Sequence, residues 1–319
     1  MMTNCQDDEL LSALSSAEDV LLESLRESRA REAAGLILSA DFLLVATGAG
    51  MSAGAGLPTY RQYGRDGLSA AVATGVYSVS GEEMSYEDIA SPQALREAPR
   101  SFHAFMTRFY NLAADAQPTR AYRSLRAWQD FLFPDRSFTF TSNVDGMHLR
   151  AGCAGVLECH GSNMRWQCAV PCTRQVWDVG CTVPGFRFPA TAAPGRFGQP
   201  MCPIGDPLAA GEPSPMPIEE AAASFVRRCG APPAGCDDAA AATAIVCPHC
   251  DGPARPAMLL FGEDHAALHE LPEQASAWRE WRQRLEAELA CASQLPSTVH
   301  TLSTPPHANE DGCTRCCVG

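Results

Sequence analysis

A glycine-rich turn is the first group of residues in this chain with the means to do chemistry. Gly48, Ala49, Gly50 and Ser52 follow a short apolar run in the stretch VATGAGMSAGAGLPTYR. Small residues let the backbone approach a phosphate closely, and the N–H groups at a helix start favour an anion. Together with Ala53 the turn matches G-x-G-x-x-G/A, the dinucleotide-binding pattern, although no evident acidic ribose ligand follows about twenty residues later. The turn is a candidate phosphate cradle, with a tight turn in a packed sheet as the alternative.

Polar side chains follow two later apolar runs. Asn143 and Asp145 come just after the run at 137–141, and His160 follows the run that ends at 158. In α/β sheets, ligands bind beyond the carboxyl ends of the strands. A histidine at such a position is a candidate general base, because its ordinary pKa is close to neutral pH. A histidine with a purely structural role is the simpler alternative for His160.

Four cysteines form two pairs with the spacing of metal-binding turns. Cys168 and Cys172 are separated by three residues, and Cys247 and Cys250 by two. Two such pairs supply four thiolates to a tetrahedral Zn²⁺, and a site closed by four protein ligands has no position left for a substrate. We therefore predict a structural zinc site. Four unrelated buried thiols remain an alternative, and the competing ligands are His249, Cys181, Cys202, Cys229 and Cys236.

The composition of the chain argues against several classes of function. The chain has 319 residues, 15 cysteines and a formal net charge of −13. An acidic protein does not neutralise phosphates, so we expect neither nucleic acid nor a membrane as a partner. No apolar run is long enough to span a bilayer, and the acidic first residues do not resemble a targeting signal. Many cysteines without a secretion signal indicate metal ligands or free thiols, so we expect an intracellular protein of the cytoplasm or nucleus.

The elements that would position these groups alternate between helices and strands. Helical periodicity predicts helices over 7–40, from 84 to 130 with interruptions at prolines, and over 273–291. Short apolar runs predict strands at 41–48, 137–141, within AGVLECHGS, and at 255–264. This alternation indicates an α/β fold with a parallel sheet.

These groups occur together in the order of one protein family. The chain resembles the sirtuins, the NAD-dependent protein deacylases, over residues 35–264, through GAGMS at 48–52, GLPTYR at 56–61, NVD at 143–145 and HG at 160–161. Four motifs in order are more specific than any one of them. The resemblance implies a Rossmann-like parallel sheet with helices on both faces, a small zinc-binding module and an inserted helical module.

The resemblance also implies a reaction. NAD would be a consumed co-substrate: nicotinamide leaves, and the acyl group of an acylated lysine passes to ADP-ribose. His160 would act as the general base on a ribose hydroxyl, with Asn143 and Asp145 as the other catalytic residues. The residues implied to contact NAD are Gly48, Ala49, Gly50, Ser52, Tyr60, Arg61, Ser142, Asn143 and Asp145.

An acylated lysine-containing protein or peptide is the partner that the resemblance implies. The segment MLLFG at 258–262 would take the peptide as an added strand. The family also places a four-cysteine structural zinc after the histidine, in agreement with Cys168, Cys172, Cys247 and Cys250. Two alternatives stay open: a protein ADP-ribosyltransferase that uses the same pocket, and an impaired protein that only binds zinc and ADP-ribose.

The chain departs from the family pattern at several places. Thr59 and Tyr60 stand where the family has Asp and Phe, and Ser142 stands where it has Gln. The loss of a carboxylate predicts a less ordered loop and slower catalysis. The stretch GMSAGAGLPTYR, together with the C-x3-C pair of cysteines, resembles a divergent branch of the family. After Glu263, neither the family's strand ending in Gly-Thr-Ser nor its later Asn motif is found. We therefore expect a truncated chain, or one out of frame after residue 292, with poor affinity for NAD.

The resemblance also predicts a division of the chain into four segments. Residues 1–160 would form the first part of the NAD-binding domain and include a helical module at 64–130. Residues 161–254 would form the zinc module, interrupted at 173–246 by a Pro/Ala-rich insertion with disordered parts. Residues 255–292 would return to the first domain, and residues 293–319 would be a disordered tail.

Overall fold

A computed structural model describes residues 23–57, 78–79, 82–83, 85–189, 193–194, 216–229 and 244–292. The chain divides into two units, residues 1–281 and 282–319. Of the second unit, residues 282–292 are described and are helical. No helix among the described residues is both long enough and apolar enough to cross a membrane.

The described elements are numbered in chain order. The helices are α1 (described over 23–39), α2 (Ala49–Ala53), α3 (Tyr86–Ile89), α4 (Pro92–Glu97), α5 (Pro99–Asp115), α6 (Arg120–Phe131), α7 (Met147–Arg150), α8 (Val179–Thr182), α9 (Ile218–Cys229) and α10 (Pro272–Ala292). The strands are β1 (Leu43–Thr47), β2 (Ser78–Val79), β3 (Glu82–Glu83), β4 (Ser137–Thr141), β5 (Val156–Glu158), β6 (Gly161–Cys168), β7 (Trp177–Asp178), β8 (Ala193–Pro194), β9 (Ala244–Ile245) and β10 (Ala254–Met258).

A parallel sheet of three strands carries the predicted polar groups. Its order is β1-β4-β5, and the register sets Thr47 opposite Thr141 and Thr141 opposite Glu158. All three strands therefore end at the same edge of the sheet. The glycine turn, the segment with Asn143 and the turn with His160 all leave from that edge, as the strand predictions require.

Helices cover both faces of this sheet, as the resemblance predicts. On one face, Phe138 and Phe140 pack against Trp278 of α10, with ring centroids 5.1 and 5.7 Å away. On the other face, Gln129 of α6 donates a hydrogen bond to the Thr139 hydroxyl at 3.1 Å. Neighbouring residues of one strand thus face different helices, because side chains alternate across a strand.

A second, antiparallel sheet has the order β10-β6-β7. All eight residues of β6 are buried. Trp166 of this strand packs between Phe188 and Phe225, with ring centroids 4.9 and 5.3 Å away. Phe225 belongs to α9, which lies inside the Pro/Ala-rich segment 173–246. The described parts of that segment therefore contribute to the core, because a few aromatic residues supply the apolar surface that its average composition lacks.

The predicted helices and strands differ from the structure mainly at their ends. Pro92 and Pro99 do interrupt the helical region, and each begins a new helix, since a proline at the first helical position gives up no hydrogen bond. The predicted strand at 255–264 is wrong beyond Met258. There the chain turns, and the Leu260 N–H donates to the Asp264 carboxylate at 2.9 Å. The part of the predicted first helix before residue 23 lies outside the described residues.

Candidate functional site

A buried polar cluster joins the glycine turn to the segment after β4. The Ser52 hydroxyl donates to the Asp145 carboxylate, and the Asn143 amide donates to Ser52 Oγ and to the Gly48 carbonyl, both at 2.9 Å. Asp145 is only 4% exposed and also accepts a bond from the Met147 N–H at 2.9 Å. Buried polar groups have to be paired, so each of these bonds fixes its partner in place. Three predicted site residues are therefore held together as one unit.

A second layer of polar side chains lies under this cluster. The Thr47 hydroxyl donates to Thr141 Oγ1 at 2.8 Å and lies 2.8 Å from Nε2 of His148. The Tyr122 hydroxyl is 3.4 Å from Ser52 Oγ, and its ring meets that of His148 edge-on at 4.8 Å. Burial raises the pKa of Tyr122 to about 12 and lowers the pKa of His148, which the Asp145 charge partly offsets.

Sequence reasoning misses both rings of this second layer. His148 lies three residues after Asp145, so its place beyond a strand end is a usable signal. Tyr122 lies in the first turn of α6, where an aromatic residue is ordinary, and no sequence signal distinguishes it.

The glycine turn has the features that an anion requires. Helix α2 starts after Gly48 without a side-chain cap, so its first N–H groups have no partner within the helix. Nothing lies within 4 Å of the position that a Cβ would take at Gly50. Ser142 Oγ lies 3.5 Å from the Thr47 carbonyl, beside the turn. These residues fit a phosphate group, and the other two predicted NAD contacts, Tyr60 and Arg61, lie outside the described residues.

His160 stands on the turn between β5 and β6 with an exposed side chain. Within the described part of the chain its imidazole has no hydrogen-bond partner, while its carbonyl accepts a bond from the Leu259 N–H at 2.9 Å. The next residue, Gly161, has φ +76°, and a Cβ there would collide with the Ala257 carbonyl. The Asn163 N–H donates to the Val144 carbonyl at 2.7 Å. The start of β6 therefore lies against the segment that carries Asn143 and Asp145.

The four predicted cysteines lie together at the end of β6. Their sulfur atoms are all within 4.8 Å of one another, with Cys168 and Cys250 3.6 Å apart and Cys172 and Cys247 3.7 Å apart. Four sulfurs at about 2.3 Å from a tetrahedral zinc ion are about 3.8 Å from each other. The cluster is consistent with a zinc site.

Hydrogen bonds among the four thiols shift their pKa values in opposite directions. The hydrogen bond with the Cys168 thiol lowers the pKa of both Cys247 and Cys250, while the bond with Cys172 raises the pKa of Cys168. The His249 N–H donates to the Cys247 sulfur at 3.4 Å. Of the competing ligands, Cys181, Cys229 and the His249 ring are not part of the cluster, and Cys202 and Cys236 lie outside the described residues.

The segment predicted to take a peptide strand already uses its own amides. The N–H groups of Leu259, Leu260 and Phe261 donate to the His160 carbonyl, the Asp264 carboxylate and the Ala90 carbonyl, each at 2.9 Å. A peptide that paired with these three amides would have to displace those bonds.

Comparisons with known proteins show what the chain is similar to. Residues 48–193 match the model of the Sir2 family. An NAD-dependent protein deacylase of Aeropyrum pernix is 33% identical over 137 residues, which cover 43% of this chain and 49% of that protein. One of Ralstonia nicotianae is 33% identical over 172 residues, which cover 54% and 57%.

Solved structures include a sirtuin studied for substrate affinity, with a TM-score of 0.47, 19% identity, and coverage of 78% of this chain and 69% of that one. The chain spans about half the length of the curated relatives it matches. Residues 48–193 of the chain are therefore similar to the Sir2, or sirtuin, family.

Proposed function

We propose that this chain carries the active site of an NAD-dependent protein-lysine deacylase, which releases nicotinamide and transfers the acyl group to ADP-ribose. The observation that carries the proposal is the buried cluster of Ser52, Asn143 and Asp145 at the carboxyl edge of the parallel sheet. Such a cluster at the start of a glycine turn is where α/β sheets bind nucleotides. The deacylase relatives supply the reaction class.

Each group of residues would have a separate task. The amides at the start of α2 would face the phosphates, where small residues allow close approach. Asn143, held by Gly48 and Ser52, and the buried Asp145 would line the nicotinamide side of the pocket. Bound NAD would supply the ribose carbon from which nicotinamide departs. The exposed imidazole of His160 would accept a proton from a ribose hydroxyl at a ring nitrogen.

The four cysteines would hold a structural zinc ion. All four positions of a tetrahedral ion would be taken by Cys168, Cys172, Cys247 and Cys250, so no position would be left for water or substrate. The ion would join the end of β6 to the turn before β10, and it would take no part in the reaction.

The decisive experiment is a nicotinamide-release assay with purified protein, NAD and an acetylated lysine peptide. We expect release by the wild type and by His265→Ala, an exposed histidine that is not among the predicted site residues, and loss of release in His160→Ala. Equal release by His160→Ala and the wild type would remove His160 from the mechanism. Mass spectrometry of the products separates the reactions: acylated ADP-ribose indicates deacylation, and ADP-ribosylated protein indicates the transferase.

One observation favours a second candidate, a protein that binds zinc and ADP-ribose with little turnover. The amides of Leu259, Leu260 and Phe261 are bonded within the chain, which opposes the binding of a peptide strand. Calorimetric titration with ADP-ribose tests this candidate. Binding by the wild type without any nicotinamide release would favour it over the deacylase.

A further inference from the structure

A buried ionic network is centred on Glu158, in the strand that leads to His160. Glu158 is the last residue of β5, is 2% exposed, and comes two positions before the histidine. Its carboxylate accepts a bond from Arg165 Nη1 at 2.9 Å and one from Gln274 Nε2 at 3.2 Å. The Glu158 N–H donates to Gln274 Oε1 at 2.9 Å. One amide side chain of α10 therefore holds both the backbone and the side chain of Glu158.

Arg165 connects this network to the second sheet. Besides Glu158, it donates from Nε to the Asp178 carboxylate at 3.2 Å. Burial raises the pKa of Glu158, and the charge of Arg165 opposes that rise. Removing one member of a buried ion pair is costly, so this arrangement strongly resists displacement of any single member.

The turn that carries His160 is held by its backbone on both sides. On the N-terminal side of His160, the Cys159 N–H donates to the Thr141 carbonyl at 3.0 Å, and the Glu158 N–H donates to Gln274. At His160 itself, the carbonyl accepts the bond from the Leu259 N–H. The imidazole has no hydrogen-bond partner among the described residues. The position of the ring therefore depends on the backbone of residues 158–161.

We propose that Gln274 and Arg165 are positioning residues for His160, which act through Glu158 to fix the turn from which the imidazole projects. The proposal rests on the proposed function in one respect, the role of His160 as general base. Gln274 lies beyond the residues that match the family model, so its role comes from the contacts of α10 alone.

The test compares Gln274→Met with Gln283→Met, an exposed glutamine on the same helix. Methionine keeps the length of the side chain but removes both hydrogen bonds. In protein with ¹³C-labelled histidine, we expect Gln274→Met to move the His160 ring signal and Gln283→Met to leave it unchanged. For nicotinamide release, we expect kcat to fall about 10- to 100-fold with KM for NAD changed less than about 2-fold, because a small misplacement of a reacting group is costly.

A role in stability alone would lower the melting temperature without moving the His160 signal or kcat, and that result overturns the proposal. Arg165→Lys provides a second variant if Gln274→Met does not fold, since it keeps the charge but cannot contact both carboxylates in the same way. The same shift of the His160 signal is expected, and its absence counts against the proposal. If the wild type releases no nicotinamide, the proposed function fails, and the His160 signal still decides the positioning role.

Discussion

Strands β1 and β6 differ in a way that their sequences alone would not predict. Strand β1 is LLVAT, almost entirely apolar, yet Leu44 is 50% exposed and the strand alternates between exposed and half-buried residues. Strand β6 is GSNMRWQC, with four polar residues, yet all eight residues are buried. Strand β6 pairs on both sides, with β10 and β7, whereas β1 pairs with β4 alone within the described chain.

The difference shows that neighbours, rather than composition, decide burial here. Two of the polar side chains of β6 are well paired: Arg165 with two carboxylates, and Gln167 with the Ala266 carbonyl at 2.7 Å and the Leu268 N–H at 2.6 Å. The buried Asn163 amide, by contrast, has no hydrogen-bond partner among the described residues. In β1, which pairs with one strand among the described residues, the side chains of Leu44 and Ala46 are exposed. We therefore expect the region around β6 and the cysteines to hold more of the stability, and the β1 region to tolerate change.

Loss of a cysteine ligand should have the largest effect on the β6 region. Cys247→Ser removes one of four thiolates, and structural zinc sites contribute about 10–16 kcal/mol of apparent binding energy to folding. We expect about one zinc per chain in the wild type, almost none in Cys247→Ser, and loss of the cooperative thermal transition. Cys181→Ser, an exposed cysteine outside the cluster, serves as the control. Full zinc content in Cys247→Ser would contradict the four-thiolate site.

Truncation of a core side chain compares the two strands directly. Trp166→Ala should lower the free energy of unfolding by about 3–5 kcal/mol, because a fully buried ring packed on Phe188 and Phe225 leaves a cavity. Leu44→Ala should cost less than about 1 kcal/mol. Urea denaturation measures both values. Equal losses would show that β1 is as well packed as β6.

Removal of the Ser52 hydroxyl tests the polar cluster next to β1. Ser52→Ala leaves the Asp145 carboxylate and the Asn143 amide each without one partner, at a cost of about 1–3 kcal/mol. We also expect weaker binding of ADP-ribose by titration calorimetry. Ser39→Ala, whose exposed hydroxyl bonds to the Leu36 carbonyl, should change neither property. A Ser52→Ala protein as stable as this control would argue against a tightly coupled cluster.

A pH dependence from His148 should be the smallest effect. Burial lowers the pKa of His148 below its ordinary value of 6.5, so the unfolded chain takes up a proton that the folded chain resists. Stability should therefore fall as the pH drops below 6.5, by at most about 1.4 kcal/mol per pH unit from this residue. The Asp145 charge reduces the effect. In His148→Gln the slope of unfolding free energy against pH should be smaller than in the wild type, and His265→Gln should match the wild type.

Much of the fold can be predicted from local sequence patterns. The strand predicted at 137–141 has the same bounds in the structure, and the helix predicted at 273–291 agrees with α10 within one residue at each end. The strand predicted at 255–264 fails for a reason that is not local. The Asp264 carboxylate binds the buried Arg255 guanidinium and the Leu260 N–H, and so folds the chain back after Met258.

Some residues of the candidate site can likewise be predicted from the sequence, and others cannot. Its glycine turn, its polar residues after strands and its cysteine pairs all have recognisable spacing, so they can be identified from sequence. Tyr122 and Gln274 cannot be identified from sequence, because an aromatic residue or a glutamine on a helix is ordinary. Each becomes part of the site only through a contact with a residue far along the chain.

The sequence by itself determined which side chains are chemically able to bind a nucleotide, a proton or a metal ion, because residue type and short spacing are local properties. Tertiary structure alone decided which of them are paired. Ser52 and Asp145 are 93 positions apart, and Glu158 and Gln274 are 116 positions apart, yet each pair shares a buried hydrogen bond. The strength of such a bond depends on the exclusion of water, and that depends on how distant segments pack around it.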